Sequence, residues 1–166
     1  SAGGLAVPGN QIWHQNTSNI NGAAEAGDYF GFSTAAGDFD GDGFTDVAIG
    51  AQHEDIGNIE EAGAVNVIYG GQNGLASNGD QFWSQDSKNI KGKPEAGDRF
   101  GYSIAVGYFN SDIYADLAIG AEGEGVGNKK AAGAVNVIYG SQSGLRHQGN
   151  QLWYQDSNQV HGSSEP

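Results

Sequence analysis

The sequence repeats itself at an offset of 70 residues, and this repeat constrains the fold more than any other feature. The segment AGAVNVIYG at 62–70 recurs without a change at 132–140. Trp13, Trp83 and Trp153 keep the same spacing. A fixed period of this kind is typical of an array of equivalent structural units. We therefore expect successive copies of one unit rather than a single irregular domain.

Each repeat predicts four short β-strands and no helix. Segment 64–69 alternates so that Val65, Val67 and Tyr69 share one face, which is the periodicity of a strand. Glycine accounts for 29 of the 166 residues, well above the usual share of ~7%, and this excess indicates tight turns. Four antiparallel strands per repeat form the unit of a β-propeller, so we predict an all-β fold, with propeller blades favoured over a β-sandwich. The predicted strands are 32–37, 46–50, 64–69 and 81–85, their counterparts at an offset of 70, and an additional outer strand at 10–15.

An acidic loop between the first two predicted strands has the residue pattern of a calcium-binding loop. The loop DFDGDGFTD at 38–46 carries carboxylates at its positions 1, 3, 5 and 9 and glycine at position 6. Calcium takes roughly 6–8 oxygen ligands, including a main-chain carbonyl at position 7 in loops of this type. Carboxylates at close range also repel one another unless a cation is bound. The predicted ligands are Asp38, Asp40, Asp42, Asp46 and the carbonyl oxygen of Phe44.

Three other interpretations of this loop are weaker. Asp and Gly favour surface turns, but five matched positions exceed what a turn needs. An EF-hand would require a glutamate at position 12, where the sequence has Ile49, and it would be flanked by helices rather than strands. Mg²⁺ stays open, although its stricter octahedral geometry favours Ca²⁺ as the cofactor.

The corresponding loop of the second repeat is altered. Oxygen ligands persist at positions 3, 5 and 9, but Tyr108 stands at position 1 and Ile113 replaces the turn glycine. We therefore predict a degenerate site that binds calcium weakly or is held by packing alone. Its candidate ligands are Asn110, Asp112 and Asp116.

The charge balance and the residue inventory argue against several classes of function. Seven basic residues against 20 acidic ones give a formal net charge of −13, which repels nucleic acid and attracts cations. No cysteine is present, and no apolar segment approaches the ~20 residues of a membrane helix. The histidines are scattered, and no nucleophile, acid–base pair or phosphate-binding loop is evident. We expect no enzymatic activity, no nucleic acid partner and no membrane span.

The combined motifs resemble FG-GAP repeats, which form the blades of the seven-bladed propeller in integrin α subunits and related bacterial proteins. One matching part is the dipeptide Phe-Gly at 30–31 and again at 100–101. Another is the acidic loop of the form D-x-D-x-D-G-x-x-D. The sequence Ile-Gly-Ala at 49–51 and 119–121 stands in the place of the family's G-A-P. Gln52 and Glu122 then replace the proline, which is a departure from the family pattern.

The resemblance implies a division of the chain and a calcium site in the loop between the first two strands of a blade. Residues 1–29 would hold the outer strand of a preceding blade and a connector. Residues 30–99 would form blade 1, and 100–166 would form blade 2 with a C-terminal connector. Propellers have roughly 4–8 blades, so two cannot close a ring. We therefore expect either the remainder of a longer propeller chain or a homo-oligomer.

These expectations favour an extracellular or cell-surface module for adhesion or protein-ligand binding. Calcium sites of extracellular modules bind at ~10⁻⁴–10⁻³ M, a level that the cytosol does not supply. Two alternatives stay open: a carbohydrate-binding lectin propeller, and a purely structural spacer stapled by calcium. Trp13, Trp83 and Trp153 are the candidate sugar platforms, although a repeated aromatic side chain more often packs between blades.

Overall fold

The computed structural model describes residues 9–158 and 160–161, and this part of the chain is built from β-strands alone. Residues 1–8 of the expected N-terminal segment, and 159 and 162–166 of the expected C-terminal connector, lie outside the described residues. No helix long and apolar enough to cross a membrane occurs in the described part. The predicted all-β class is confirmed. The strands are β1 (Ser33–Gly37), β2 (Asp46–Ala51), β3 (Ala64–Tyr69), β4 (Ala76–Trp83), β5 (Phe100–Gly107), β6 (Asp116–Ala121), β7 (Ala134–Tyr139) and β8 (Arg146–Trp153).

The strands form two four-stranded antiparallel sheets, one for each repeat. The first sheet has the order β1-β2-β3-β4, and the second has the order β5-β6-β7-β8. Their registers are equivalent, since Ala48 pairs with Val67 in the first sheet and Ala118 pairs with Val137 in the second. Each sheet is the antiparallel meander of a propeller blade. The two sheets are called blade 1 and blade 2 below.

Alternation along the strands gives each blade two apolar faces. In blade 1, Val65 and Val67 lie in the main core, whereas Ile49 and Ile68 belong to a second cluster. Neighbouring residues of a strand point to opposite sides of the sheet, so both sides need a covering layer. Blade 2 covers the first face, and side chains of the N-terminal segment, including Trp13, pack in the second cluster.

The two blades share one core along the joint between them. Phe39 of blade 1 and Phe100 and Leu117 of blade 2 are fully buried in the main cluster. A polar contact crosses the same joint, where the Ser33 hydroxyl donates to the carbonyl oxygen of Gly101 at 2.6 Å. Full burial of one large apolar side chain is worth roughly 1.5–3 kcal/mol. The joint therefore supplies a substantial part of the stability of this two-blade unit.

The outer strand predicted at residues 10–15 is not formed. An outer strand is held by the third strand of its own blade, and the described residues include no such strand for this segment. The segment still docks on blade 1, where the Gln11 side chain donates to the carbonyl of Leu75 at 2.8 Å and accepts from its N–H at 3.0 Å. Gln81 makes the equivalent donation to Leu145 of blade 2 at 3.0 Å.

The outer strands of both blades begin earlier than the sequence pattern predicts. β4 and β8 start at Ala76 and Arg146 and end at Trp83 and Trp153. The polar segment 77–80 has the composition of a turn, yet a register shift opposite β3 accommodates it in the edge strand. Edge strands tolerate such irregularity because only one side of their backbone is paired.

Candidate metal centre

The loop between β1 and β2 brings three carboxylates together. One carboxylate oxygen from each of Asp38, Asp40 and Asp42 lies within 4.8 Å of the other two. In residues 9–158 and 160–161, no other group of three or more His, Cys, Asp or Glu side chains meets this spacing. Three of the five ligands predicted from the sequence therefore converge.

The curvature of the backbone holds these carboxylates in place. Asp38 accepts hydrogen bonds from the N–H groups of Gly41, Asp42 and Gly43 at 2.7, 3.1 and 3.0 Å. Gly41 and Gly43 have φ angles of 74° and 88°, a left-handed conformation that glycine adopts without a steric penalty. The N–H of Phe44 then donates to Asp42 at 2.8 Å. Ligation by the Phe44 carbonyl stays a prediction.

Asp46 has a structural role that the sequence pattern did not reveal. It is fully buried and accepts hydrogen bonds from the N–H groups of Phe39 at 2.7 Å and Gly70 at 2.8 Å, so it ties the loop to the residue after β3. Asp116 makes the equivalent two bonds in blade 2. Both blades keep this arrangement although only one has a carboxylate at loop position 1. It is therefore a structural feature of each blade, and metal ligation by Asp46 stays a prediction.

The electrostatics of the loop favour a bound cation. Burial raises the pKa of Asp46 to about 6, against the opposing effect of its two backbone hydrogen bonds. Burial also raises the pKa of Asp40, and repulsion from Asp42 and Asp38 adds to the effect. A nearby positive charge relieves both costs. An all-oxygen donor set suits Ca²⁺ or Mg²⁺ rather than zinc, which is usually held by nitrogen and sulfur ligands.

The second loop satisfies its polar groups internally. The Asn110 amide donates to Asp112 at 2.9 Å, and the Asn110 side-chain oxygen accepts from the Asp112 N–H at 2.8 Å. The guanidinium of Arg146 lies 4.0 Å from the Asp112 carboxylate. Tyr108 and Ile113, which stand at positions 1 and 6, are both exposed. The three candidate ligands of this loop are thus engaged with protein groups, and weak calcium binding here stays a prediction.

The three tryptophans occupy different environments. Trp83 is 8% exposed and belongs to the main core, so its ring is not available as a sugar platform. Trp13 is half-buried and packs against the second cluster. Trp153 is 40% exposed, and its indole N–H donates to Gln151 at 2.8 Å. Of the three candidate platforms, Trp153 is the most exposed.

The exposure of Trp153 follows from an uncovered face of blade 2. Val65 is inaccessible beneath blade 2, whereas its counterpart Val135 is 39% exposed. The carbonyl of Ala64 lies against Gly101 of blade 2, while Ala134 lines an open hollow together with Val135 and Trp153. Among the described residues, the same sheet face is therefore covered in blade 1 and exposed in blade 2.

Two buried glutamine–glutamate pairs, one of them at the joint between the blades, were not predicted from the sequence. The Gln85 amide donates to the carboxylate of Glu124, and Gln15 donates to Glu54 at 2.5 Å. All four side chains are buried. The signal was present, because both members of the pair recur at an offset of 70. These residues lie in loops, where no alternation along the chain marks a polar side chain as buried.

Comparison with known proteins identifies the repeats. The FG-GAP repeat family matches residues 30–68 and 100–138. Integrin alpha-PS5 of Drosophila melanogaster is 37% identical over 128 residues, which are 76% of this chain and 11% of that protein. Integrin alpha-3 of Cricetulus griseus is 32% identical over 133 residues, which are 80% of this chain and 11% of that protein.

A relative with a different name carries the same kind of segment. Phosphatidylinositol-glycan-specific phospholipase D of Rattus norvegicus is 35% identical over 114 residues, which are 69% of this chain and 13% of that protein. The chain thus spans about a tenth of the length of the curated relatives it matches. Each matched segment covers the first two strands and nearly all of the third strand of one blade, so one repeat corresponds to each blade. The chain is an FG-GAP repeat protein of the integrin α-like β-propeller type.

Proposed function

We propose that this chain is a non-catalytic, calcium-binding part of a larger propeller that serves in adhesion or protein-ligand binding. The observation that carries the proposal is the convergence of Asp38, Asp40 and Asp42 in the loop of an FG-GAP blade. The integrin α relatives support a propeller module, and the acidic cluster supports a cation.

The calcium site would use both side chains and backbone of the first loop. Asp38, Asp40 and Asp42 would supply carboxylate oxygens, and the Phe44 carbonyl and Asp46 would complete the protein ligands. A bound cation would neutralise three carboxylates that otherwise repel one another. Because Asp46 also holds the residue after β3, ligation there would couple the loop to the sheet. The expected effect is a stabilised blade.

The uncovered face of blade 2 supports the proposal that further blades complete the ring. In the joint between the two blades, the first strand of blade 2 packs against the face that contains Val65. The same face of blade 2 exposes Val135 and Trp153 to water. Covering it with another blade, from a longer chain or from a second copy, would bury this apolar surface.

We propose an extracellular or cell-surface location, because a carboxylate site of this kind would be filled at the calcium levels found there. A carbohydrate ligand is a second candidate, supported by the exposure of Trp153. The same exposure is expected of a side chain that awaits a neighbouring blade, so the protein-ligand function is preferred. A spacer role would require calcium binding without any ligand.

Thermal unfolding with and without calcium, combined with sedimentation to obtain the mass in solution, tests the proposal. We expect calcium to raise the unfolding midpoint of the wild type, and the Asp42→Asn variant to lose most of that rise. The Asp112→Asn variant is the matched control from blade 2 and should keep it. An unchanged midpoint in saturating calcium would contradict the site, and a monomer at high concentration would contradict self-association.

A further inference from the structure

The joint between the blades contains a buried glutamine–glutamate pair in which the glutamine oxygen has no hydrogen-bond partner. Gln85, just after β4 of blade 1, is 4% exposed, and Glu124, in the loop between β6 and β7 of blade 2, is 8% exposed. The amide N–H of Gln85 donates to the carboxylate of Glu124. The side-chain oxygen of Gln85 is buried and has no hydrogen-bond partner. An unpaired buried acceptor costs roughly 1–3 kcal/mol.

The missing donor can come from Glu124 itself. A carboxylate only accepts hydrogen bonds, whereas a protonated carboxyl group has one O–H donor and keeps a carbonyl acceptor. Uptake of one proton from solvent would allow the O–H to donate to the free oxygen of Gln85. The amide N–H would still donate to the other carboxyl oxygen. The pair would then be joined by two hydrogen bonds, and the unpaired acceptor would be satisfied.

The surroundings of Glu124 also favour the neutral form. Asp98 is 1% exposed, and its charge and that of Glu95 act on Glu124 from the connector that precedes blade 2. Lys129 and Lys130 line an adjacent hollow, but neither is bonded to Glu124. Burial is the largest cause that raises the pKa of Glu124, and the bond from Gln85 opposes it.

A buried glutamine–glutamate pair with the same hydrogen bond occupies the equivalent position one repeat earlier, but of the two pairs only Gln85 has a buried side-chain oxygen without a partner. Glu54 accepts from Gln15, and Asp28 and Glu25 face it from the connector before blade 1, with Asp55 beside it in its own loop. Burial raises the pKa of Glu54 to about 7. Two further polar side chains lie close together here, since the His53 imidazole is 3.9 Å from the Glu61 carboxylate.

We propose that the Gln85–Glu124 pair is a proton-dependent latch that tightens the contact between the two blades as the pH falls, and that the equivalent Gln15–Glu54 pair acts in the same way between the N-terminal segment and blade 1. The direction of this pH dependence follows from the difference in proton binding between the folded and the unfolded chain. A carboxyl group whose pKa is higher in the folded than in the unfolded chain binds its proton first in the folded chain. The stability it contributes is therefore present below its ordinary pKa of 4.5 and is lost as the pH rises through about 7.

A carbon-13 titration of the whole chain measures the proposed group directly. The side-chain carboxyl signal of Glu54, assigned by its disappearance in the Glu54→Gln variant, should titrate with a midpoint near 7. The measurement is made in the presence of a chelator, so that cation binding does not displace protons. A midpoint near the ordinary value of 4.5 would overturn the proposal. This experiment uses the folded wild type and does not depend on the stability of a variant.

Urea unfolding between pH 8 and pH 5.5 tests the consequence for stability. The wild type should gain stability on acidification, and the Glu54→Gln/Glu124→Gln variant should lose a clear part of that gain because glutamine resembles the neutral acid; Asp46, with a pKa raised to about 6, accounts for a remaining gain. Glu60→Gln removes an exposed acidic group as the control and should leave the gain intact. A double variant with the full wild-type gain, or a gain that requires calcium, would contradict the latch.

Discussion

Blade 1 and blade 2 have the same strand order and equivalent registers, but their loops and their outer faces differ. The first loop gathers three carboxylates, whereas the second replaces two of them with Tyr108 and Asn110 and pairs Asn110 with Asp112. One face of blade 1 is buried by a neighbour, and the equivalent face of blade 2 is open. The scaffold of a blade thus forms without a complete acidic loop.

Asp46 and Asp116 explain how the scaffold is kept when the loop varies. Each accepts two backbone N–H bonds that join the start of the loop to the residue after the third strand. These bonds require a carboxylate at loop position 9 but not at positions 1 to 5. The loop positions can therefore gain or lose a metal site while the blade retains its shape.

The largest expected difference between the blades concerns the phenylalanine of the Phe-Gly motif. Phe100→Ala should cost roughly 3–5 kcal/mol, because this side chain is fully buried at the joint. Phe30→Ala should cost about half as much, since Phe30 is only half-buried. Urea unfolding of both variants measures the difference. Equal losses would mean that the joint is not a main source of stability.

A pair of glycines isolates the close approach of the two blades. A Cβ atom at Gly63 would lie 2.3 Å from the carbonyl oxygen of Phe100, whereas at Gly133 the nearest atom is 3.5 Å away. Both glycines have positive φ angles, so alanine costs roughly 1–2 kcal/mol at either position. The clash at Gly63→Ala should add about 1–3 kcal/mol. A thermal melt in which Gly133→Ala is the less stable variant would contradict the joint.

The smallest effect concerns the ion pairs that cross the joint. Arg99 lies 3.2 Å from Glu61 of blade 1 and 2.8 Å from Glu122 of blade 2, and all three side chains are partly exposed. Exposed pairs are worth roughly 0.2–1 kcal/mol and weaken in salt. Arg99→Ala should therefore cost about 1 kcal/mol at low ionic strength and less in high salt. A loss independent of salt would point to packing of the arginine stem instead.

Much of the fold could be predicted from the sequence because the repeat and the strand alternation are physical signals. Val65, Val67 and Tyr69 share a face as expected. The early start of β4 could not be predicted, because Asn78 and Gly79 favour turns, and in the structure they lie in the register shift between the paired residues Ala76 and Gln81. No strand forms at 10–15, because an outer strand pairs with the third strand of its own blade and the described residues include no such strand for this segment.

The acidic residues of the candidate site could be predicted from the sequence. Which of them converge and which bond to the backbone could not. The spacing of Asp38, Asp40 and Asp42 identified the group that converges. The spacing could not separate them from Asp46, whose backbone bonds to Phe39 and Gly70 appear only when the sheet has formed. Long-range partners of a buried carboxylate leave no local trace in the sequence.

Calorimetric titration with calcium at constant pH tests the central claim most directly, with Asp42→Asn and Asp112→Asn as variants at the same loop position. The account predicts one ion per wild-type chain, at least a roughly tenfold weaker affinity in Asp42→Asn, and no change in Asp112→Asn. Two equal sites per chain, or an Asp112→Asn variant that loses as much affinity as Asp42→Asn, would contradict it.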